Sequence, residues 1–240
     1  MVTISFIVPA HNEQRLLGAT LDALHAAAGA TNETYELIVA DDASTDHTAA
    51  IATSHGARVV SAGCRQIAAT RNAGGREAKG KLLVFVDADT IVNEAVVRAA
   101  VIAMRDGAVG GGAVVEFDGK LPWWAKLLAP ILAWVSRVAG LAAGCFLFCT
   151  RSAFVAVNGF DEAFFGAEEI VMSQALKRHG RFVVLRQSVL TSGRKMRTHS
   201  GREILVILIG IMFRGPQGMK QRKGMELWYA ERREDPEQKA

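Results

Sequence analysis

Two aspartates separated by one residue, Asp87 and Asp89, directly follow the apolar run KLLVFV at positions 81–86. Two carboxylates at positions i and i+2 of a strand end can turn toward one divalent cation. Hard ions such as Mg²⁺ and Mn²⁺ take oxygen ligands and leave room for the phosphate oxygens of a substrate. We therefore predict a Mn²⁺ or Mg²⁺ site at Asp89 and Asp87, with Asp89 in the more direct contact. A simple turn is the alternative interpretation of an isolated Asp-x-Asp pair.

Two other polar clusters also follow apolar runs. His11-Asn12-Glu13 comes after the run at 2–8 and a proline, and Asp41-Asp42 comes after the run YELIVA. A carboxylate in the second cluster can accept a hydrogen bond from the N–H edge of a nucleobase, and we predict this role for Asp41. The alternative for such acids is a place in the first turn of a helix, where they complement the helix dipole. Asp46 fits that alternative better than Asp41, and Glu13 fits it as well as it fits a binding site.

Basic residues are unevenly placed along a chain whose formal net charge is only +4. The segment 170–202 contains eight Lys or Arg residues and no Asp or Glu. Such a segment is expected to attract an anion, whether a phosphate, a lipid headgroup or a nucleic acid, with a solvated basic face as the alternative. Earlier in the chain, Arg71 is predicted to reach a base or a phosphate group, although an isolated helical arginine is usually solvated.

The first half of the chain alternates between strand and helix patterns. Four apolar runs read as strands, at 2–8, 35–40, 57–61 and 81–86, and helical periodicity follows each of them. Asn12 and Asn93 are predicted N-caps of two of these helices. This order predicts a mostly parallel sheet with helices on both faces, a Rossmann-like α/β architecture. Ligands of such sheets bind at the carboxyl ends of the strands, where the acidic clusters lie.

The second half is more apolar and less regular. We predict a strand at 109–117, a helix at 168–179 that ends at Gly180, and a strand at 182–185. The long apolar run at 121–150 predicts a helical insertion, and the run at 204–213 predicts a C-terminal helical segment.

Tryptophans and cations share the segment 121–141, which is typical of a helix at a membrane interface. Trp123, Trp134, Lys126 and Arg137 carry this pattern, and Pro130 is expected to split the helix. The segment 204–223 repeats the combination of apolar and basic residues. We predict peripheral membrane contact through both segments, with a buried insertion or an oligomer contact as the alternative. No run reaches the ~18–20 apolar residues of a membrane-spanning helix.

Length and composition exclude disorder and fibrous classes. The chain has 240 residues, of which 50% are hydrophobic and 22% charged, enough for one large or two small domains. The three cysteines form no C-x-x-C pair, so we expect buried, reduced thiols and a cytoplasmic protein. The first residues read as a strand rather than as a signal peptide.

Four segments together resemble family 2 glycosyltransferases of the GT-A fold: SFIVPAHNE, IVADDASTD, ATRNAGGREAKGKLLVFVDADT and NGFDEAFFGAEEIVMSQALKRHG. The resemblance covers roughly residues 2–200, and the order and spacing of the segments make it specific. It implies a nucleotide-sugar donor, a metal–diphosphate held by Asp-x-Asp, and inversion at the anomeric carbon. It also implies an acidic general base near the start of a later helix, which is Glu169 here, with Glu168 as the alternative.

The basic segment supplies further candidate site residues. Arg194 and Lys195 are expected to bind the diphosphate, and His199 is a further candidate ligand of the metal or of a phosphate. The nucleotide-sugar site is then predicted to contain Pro9, Glu13, Asp41, Arg71, Asp87, Arg194 and Lys195. Residues 1–106 would bind the nucleotide-sugar, 107–200 would form the acceptor-binding and catalytic half of the same domain, and 201–240 would be an apolar and basic C-terminal segment.

The expected reaction moves one sugar, by default from a UDP-sugar, to the hydroxyl of a lipid-linked or membrane-proximal acceptor. The Gln-x-x-Arg-Trp motif of processive synthases is absent, and Ser192-Gly193-Arg194-Lys195 stands in the corresponding region, which favours a single transfer. A sugar-phosphate nucleotidylyltransferase is one alternative, but it needs a glycine-rich loop after the first strand, where residues 11–14 contain no glycine. A non-catalytic binder of anionic membranes or nucleic acid is another. Nucleic acid is disfavoured because Phe182 is the only Phe, Trp or Tyr in the basic segment.

Overall fold

The computed structural model describes residues 3–214, 216–222, 225, 229 and 235. Within these residues, eight strands form one mixed sheet in the order β3-β2-β1-β4-β7-β6-β8-β5. The strands are β1 Ile4–Ala10, β2 Tyr35–Asp41, β3 Arg58–Ser61, β4 Leu82–Val86, β5 Thr90–Ile91, β6 Ala108–Phe117, β7 Phe146–Thr150 and β8 Arg181–Thr191.

The four strands of the first half are parallel, as the alternating pattern predicts. Strand β1 pairs with β2 on one side and with β4 on the other, and β3 extends the sheet beyond β2. All five residues of β4 are buried, because helices cover both faces of a parallel sheet. These helices are α1 Leu17–Gly29, α2 Thr48–Ser54, α3 Ile67–Glu77 and α4 Glu94–Arg105. The predicted α/β class with helices on both faces is confirmed.

The sheet is mixed because β7 lies antiparallel between β4 and β6. This strand was not predicted, since its residues belong to the continuous apolar run at 121–150. Its first four residues are buried, and Phe146 and Phe148 are completely inaccessible to solvent. Beyond β6, strand β8 runs parallel to β6. The two-residue strand β5 pairs with β8 in the antiparallel direction and forms the edge of the sheet.

The two asparagines predicted as N-caps behave differently. Asn93 accepts a hydrogen bond from the backbone N–H of Val96 at 2.9 Å, so the cap of α4 is confirmed. Asn12 has a left-handed backbone (φ 52°), and its side chain accepts from the N–H of Thr45 at 2.8 Å. Helix α1 begins only at Leu17, so the predicted cap at Asn12 is wrong. Asn12 instead ties the loop after β1 to the loop after β2.

Helix α5 (Trp123–Ala139) is continuous, contrary to the predicted break at Pro130. Its end is defined by Gly140 in the left-handed region (φ 61°), where the N–H of Leu141 bonds to the carbonyl of Ser136 at 2.8 Å. Ala125 is its only buried residue.

Among the described residues, no helix combines the length and hydrophobicity that a membrane crossing requires.

The remaining helices frame the second half of the sheet. The prediction of a helix at 168–179 followed by Gly180 is confirmed. The helices are α6 Arg151–Ala156, α7 Glu168–His179, α8 Arg194–Thr198 and α9 Gly201–Arg214, and a 3₁₀ turn follows at Pro216–Met219. The predicted segments 204–223 and 201–240 lie partly outside the described residues.

Glycines of β6 allow a close approach of neighbouring strands. A Cβ atom on Gly111 would lie 2.2 Å from the carbonyl oxygen of Val183 in β8 and 2.5 Å from the ring of Phe148 in β7.

The cysteines are all free. Cys145 and Cys149 are buried as expected, whereas Cys64 is exposed.

Candidate active site

The carboxyl ends of β1, β2 and β4 open into a cavity of about 1590 Å³. This is larger than the roughly 300–1,000 Å³ of most single-ligand pockets. The wall of the cavity contains ten of the predicted site residues: Pro9, Glu13, Arg71, Asp87, Asp89, Glu168, Glu169, Arg194, Lys195 and His199. Residues that are distant in sequence are therefore brought to one place by the order of the strands.

Asp42 rather than Asp41 lies on this wall. The Asp42 carboxylate is buried and accepts a hydrogen bond from the N–H of Arg65 at 2.6 Å. Asp41 is half-buried, and its carboxylate faces the N–H of Ser44 at 3.4 Å. Side chains of consecutive residues in an extended chain point to opposite sides, so only one of the two acids can face the cavity. Alternation along β2 places the two acids on opposite sides of the chain, but only the tertiary structure shows which side faces the cavity.

Asp89 lies in an acidic part of the wall that is only partly neutralised. The guanidinium of Arg194 lies 3.5 Å from its Oδ2 and 3.7 Å from Oε1 of Glu13. Burial, Asp87 and Glu13 raise the pKa of Asp89 to about 6, although Lys195 and Arg194 act in the opposite direction. An added cation at this point would stabilise the carboxylate, because the existing positive charges do not offset its burial and its acidic neighbours.

These donors fit a divalent cation that brings further oxygen ligands with it. The described residues contain no group of three or more His, Cys, Asp or Glu side chains placed to hold a metal ion. Asp89 and Asp87 supply hard oxygen donors on one side, and the cavity in front of them leaves space for the phosphate oxygens of a ligand. The residues present are therefore suited to a metal–diphosphate complex and not to a closed structural metal site.

Arg71 is held between two acids at the base of the cavity. It donates to Oδ1 of Asp87 at 2.8 Å, to Oε1 of Glu168 at 2.5 Å and to the carbonyl of Gly144 at 2.9 Å. Burial would lower the pKa of Arg71, but Asp87, Glu168 and Glu169 outweigh it and raise this pKa above its ordinary value. Since its terminal nitrogens donate to protein acceptors, Arg71 positions Asp87 and Glu168. Its contact with a base or phosphate stays a prediction.

Replacing Arg71 by Met is expected to destabilise the protein by about 3–5 kcal/mol, because Asp87 and Glu168 would lose their buried counter-charge. The side chains of Arg71 and Glu168 are only 4% and 5% exposed. The matched control is Arg76→Met, which removes a pair with Glu162 whose side chains are 63% and 44% exposed. That change is expected to cost less than about 1 kcal/mol. Urea denaturation measures both, and equal losses would contradict a buried role for Arg71.

Glu169 faces the cavity, whereas the neighbouring Glu168 is occupied by Arg71. Both acids lie in the first turn of α7. Gly144 borders this carboxylate, since a Cβ atom on it would lie 3.5 Å from the carboxyl carbon of Glu169. Burial and the charge of Glu168 raise the pKa of Glu169 to about 8, with Arg71 as the main opposing influence. Such a carboxyl group can take up a proton near neutral pH.

Helix α8 and the residue that follows it carry three of the predicted site residues. Arg194, Lys195 and His199 all line the cavity. Nδ1 of His199 lies 3.2 Å from the carbonyl of Lys195, which fixes the imidazole ring against the helix.

Sequence reasoning missed how α8 is anchored. Arg197 forms two hydrogen bonds with the carboxylate of Asp235, at 2.6 and 2.9 Å, and one with the carbonyl of Asp118 at 2.7 Å. These partners lie 38 and 79 residues away along the chain, so no local pattern could have revealed them.

A mixed α/β sheet with acidic strand ends facing a cavity of this kind is the GT-A architecture, and solved structures confirm the fold. The chain matches the mannosyltransferase PcManGT from Pyrobaculum calidifontis, solved with GDP-Man and Mn²⁺ (TM-score 0.64, 20% identity, 86% of this chain and 60% of that one). It also matches S. aureus TarS 1–349 in complex with UDP (TM-score 0.62, 19% identity, 80% and 60%). A third match is glucosyl-3-phosphoglycerate synthase from Mycobacterium tuberculosis with Mn²⁺, UDP and glucosyl-3-phosphoglycerate (TM-score 0.58, 20% identity, 88% and 77%).

Residues 5–157 match the family described as Glycosyl transferase family 2, and the chain belongs to this family. It spans about 60% of the length of the TarS 1–349 chain that it matches. A comparison with curated proteins by sequence found no match.

Proposed function

We propose that this protein transfers one sugar from a nucleotide-sugar to an acceptor hydroxyl with inversion at the anomeric carbon. The observation that carries the proposal is that Asp42, Asp89 and Glu169 line one cavity. Asp42 offers a hydrogen-bond acceptor for the N–H of a base. Asp89 offers a ligand for the metal ion of a metal–diphosphate, and Glu169 offers a proton acceptor. Membership of the glycosyl transferase family supports the reaction class.

The donor is proposed to lie over the ends of β1, β2 and β4, with its base at Asp42 and beside Pro9. UDP is the proposed nucleotide, because two of the matched structures contain UDP, although the third contains GDP-Man. Asp42 thereby takes the role that the sequence had suggested for Asp41. Asp87, Glu13, Arg194 and Lys195 surround the position proposed for the diphosphate and the sugar.

Asp89 and Asp87 are proposed to hold Mn²⁺ or Mg²⁺, and Mn²⁺ is present in two of the matched structures. When bound, the ion supplies positive charge that stabilises the departing nucleoside diphosphate. Arg194 and Lys195 add two charges of the protein's own on the same side. His199 is proposed to contribute a further contact to a phosphate oxygen or to the ion.

The transfer step is proposed to be a single displacement. The acceptor oxygen forms a bond with the anomeric carbon as the bond from that carbon to the diphosphate oxygen breaks on the opposite face. Glu169 takes the proton of the acceptor hydroxyl, and the electron pair of the broken bond leaves with the nucleoside diphosphate. One displacement at the anomeric carbon inverts its configuration. Glu168 does not take this role in the proposal, because it is buried and accepts a hydrogen bond from Arg71.

The acceptor is proposed to be lipid-linked or membrane-proximal and to be used on the cytoplasmic side. The part of the cavity wall that α5 forms is mainly apolar. Trp124, Leu128 and Leu132 of α5 lie on this wall together with Val206 of α9. A hydroxyl attached to a mainly apolar molecule would match it, since apolar surface gains most by leaving water.

Binding of the donor is the experiment that tests the proposal. A UDP-sugar with Mn²⁺, at about 100 times its Kd, is expected to stabilise the protein by about 2.7 kcal/mol. For a chain of this size the melting temperature would rise by about 5–11 °C. Asp42→Asn is expected to weaken binding about tenfold through the loss of a charged acceptor. Asp41→Asn is the matched control and is expected to bind like wild type.

UDP, GDP, CDP and dTDP sugars are compared with and without Mn²⁺ in the same thermal assay. No shift with any of them would contradict the proposed donor class. An equal loss of affinity in both aspartate variants would contradict the assignment of the base to Asp42.

A further inference from the structure

One face of α5 is both apolar and exposed. The side chains that form it are spaced by three or four residues, which places them in one stripe along the helix. They are Trp123, Leu127, Ile131, Trp134 and Val138, with exposures of 75%, 64%, 57%, 65% and 68%. At 1.5 Å per residue the stripe is about 22 Å long. A contiguous apolar surface of this length on a protein marks an interaction site.

The charged residues of α5 and of the chain on either side of it are all basic. Between Asp118 and Asp161 the chain contains Lys120, Lys126, Arg137 and Arg151 and no acidic residue. On a helical projection Lys126 and Arg137 share one edge of the stripe, because eleven residues correspond to about three turns. Helix α9 adds exposed Leu205, Val206 and Ile209, and it lies beside α5, since Trp124 packs against its first residue, Gly201.

We propose that α5 docks this protein on a bilayer that contains anionic phospholipids, with the exposed stripe in the interfacial region. Tryptophans near the two ends of the stripe suit the level of the headgroups, and the flanking cations suit their negative charge. The helix has 17 residues and lies along the protein surface, so it rests on a bilayer and does not cross it. A second copy of this chain is the weaker occupant, because two positively charged edges would face one another across a symmetric contact.

The adjoining face of α5 gives this surface a function at the site. Trp124, Leu128 and Leu132 point into the cavity that contains Glu169. One helix would therefore touch the bilayer on its outer side and line the acceptor end of the cavity on its inner side. An amphiphilic acceptor could then enter from the bilayer along α5, a consequence that rests on the proposed function, whereas docking itself does not.

Flotation of the full chain with vesicles tests the docking. The protein is expected to float with vesicles of phosphatidylcholine that contain 30% phosphatidylglycerol. Pure phosphatidylcholine vesicles are expected to float at least ~fivefold less protein, since each basic residue near an anionic surface contributes about 1 kcal/mol. Leu127→Gln/Ile131→Gln/Val138→Gln is expected to reduce binding to the anionic vesicles at least ~tenfold, because the buried apolar area sets interfacial affinity. Glutamine preserves helix propensity, and circular dichroism checks that the variant is folded.

The matched control is Ile102→Gln/Val155→Gln, which removes two exposed apolar side chains that lie on α4 and α6. It is expected to float like wild type. Absence of wild-type flotation, or equal flotation of the triple variant, would overturn the proposal. So would a lipid-free dimer that the triple variant converts to a monomer, since α5 would then be a contact between copies. Donor binding in the thermal assay is read separately, so a failure of docking is distinguishable from a failure of the proposed function.

Discussion

Replacing Glu169 by Gln is expected to lower kcat by about 10²–10⁴-fold, the usual contribution of a general base. Glutamine retains the size of the side chain but cannot accept the proton of the acceptor hydroxyl. The Kd of the donor is expected to stay within about twofold of wild type, because the proposed donor contacts lie at Asp42, Asp87 and Asp89. Steady-state kinetics with isothermal titration of UDP measures the two quantities separately.

The control for this change is Glu116→Gln, an exposed glutamate of β6 that is not part of the cavity wall among the described residues. It is expected to leave kcat unchanged. A kcat of Glu169→Gln close to wild type would remove Glu169 from the mechanism and return Glu168 as the candidate.

The pH profile provides an independent check on Glu169. A general base must be ionised, and its raised pKa of about 8 means that transfer increases as the pH rises through that value. Glu168→Gln removes a charge that raises this pKa, so the ascending limb should move to lower pH. In Glu169→Gln the limb is expected to disappear. A limb that stays in place in both variants would assign the titration to another group.

Replacing Asp89 by Asn is expected to lower kcat/KM by about 10³-fold or more, because the proposed metal ligand loses its charge at the point where the leaving group gains charge. In wild type, EDTA is expected to abolish transfer and added Mn²⁺ to restore it. In Asp89→Asn, added Mn²⁺ is not expected to restore activity. The thermal shift produced by a UDP-sugar should also lose its dependence on Mn²⁺ in this variant.

Asp41→Asn is the matched control for Asp89→Asn, since it makes the same chemical change at a strand end outside the cavity wall. It is expected to retain both the activity and the Mn²⁺ dependence. Full activity of wild type in EDTA would contradict the proposed metal, and full activity of Asp89→Asn would move the metal away from this residue.

Local patterns account for the part of the fold that was predicted. The four strands and four helices predicted up to residue 104 follow from hydrophobic period and from breaks at polar clusters, and the structure keeps their order. The two-residue strand β5 was not predicted. The helix at Glu168–His179 was predicted with the same ends, because a run of helical periodicity stops at a glycine. Strand β7 was missed because a short buried strand and a buried helix segment have the same apolar composition.

The sequence by itself determined the parallel β/α order, the acids after β1, β2 and β4, and the family resemblance, because these depend on residues that are close along the chain. Tertiary structure decided which acid faces the cavity and where each charge finds its partner. Arg71 meets Asp87 and Glu168, which lie 16 and 97 residues away, and Asp42 rather than Asp41 lies on the cavity wall. The tertiary structure also decided which apolar face of α5 lines the cavity and which is exposed. Hydrophobic periodicity reports that a helix has apolar faces, but only packing shows which of them the protein covers.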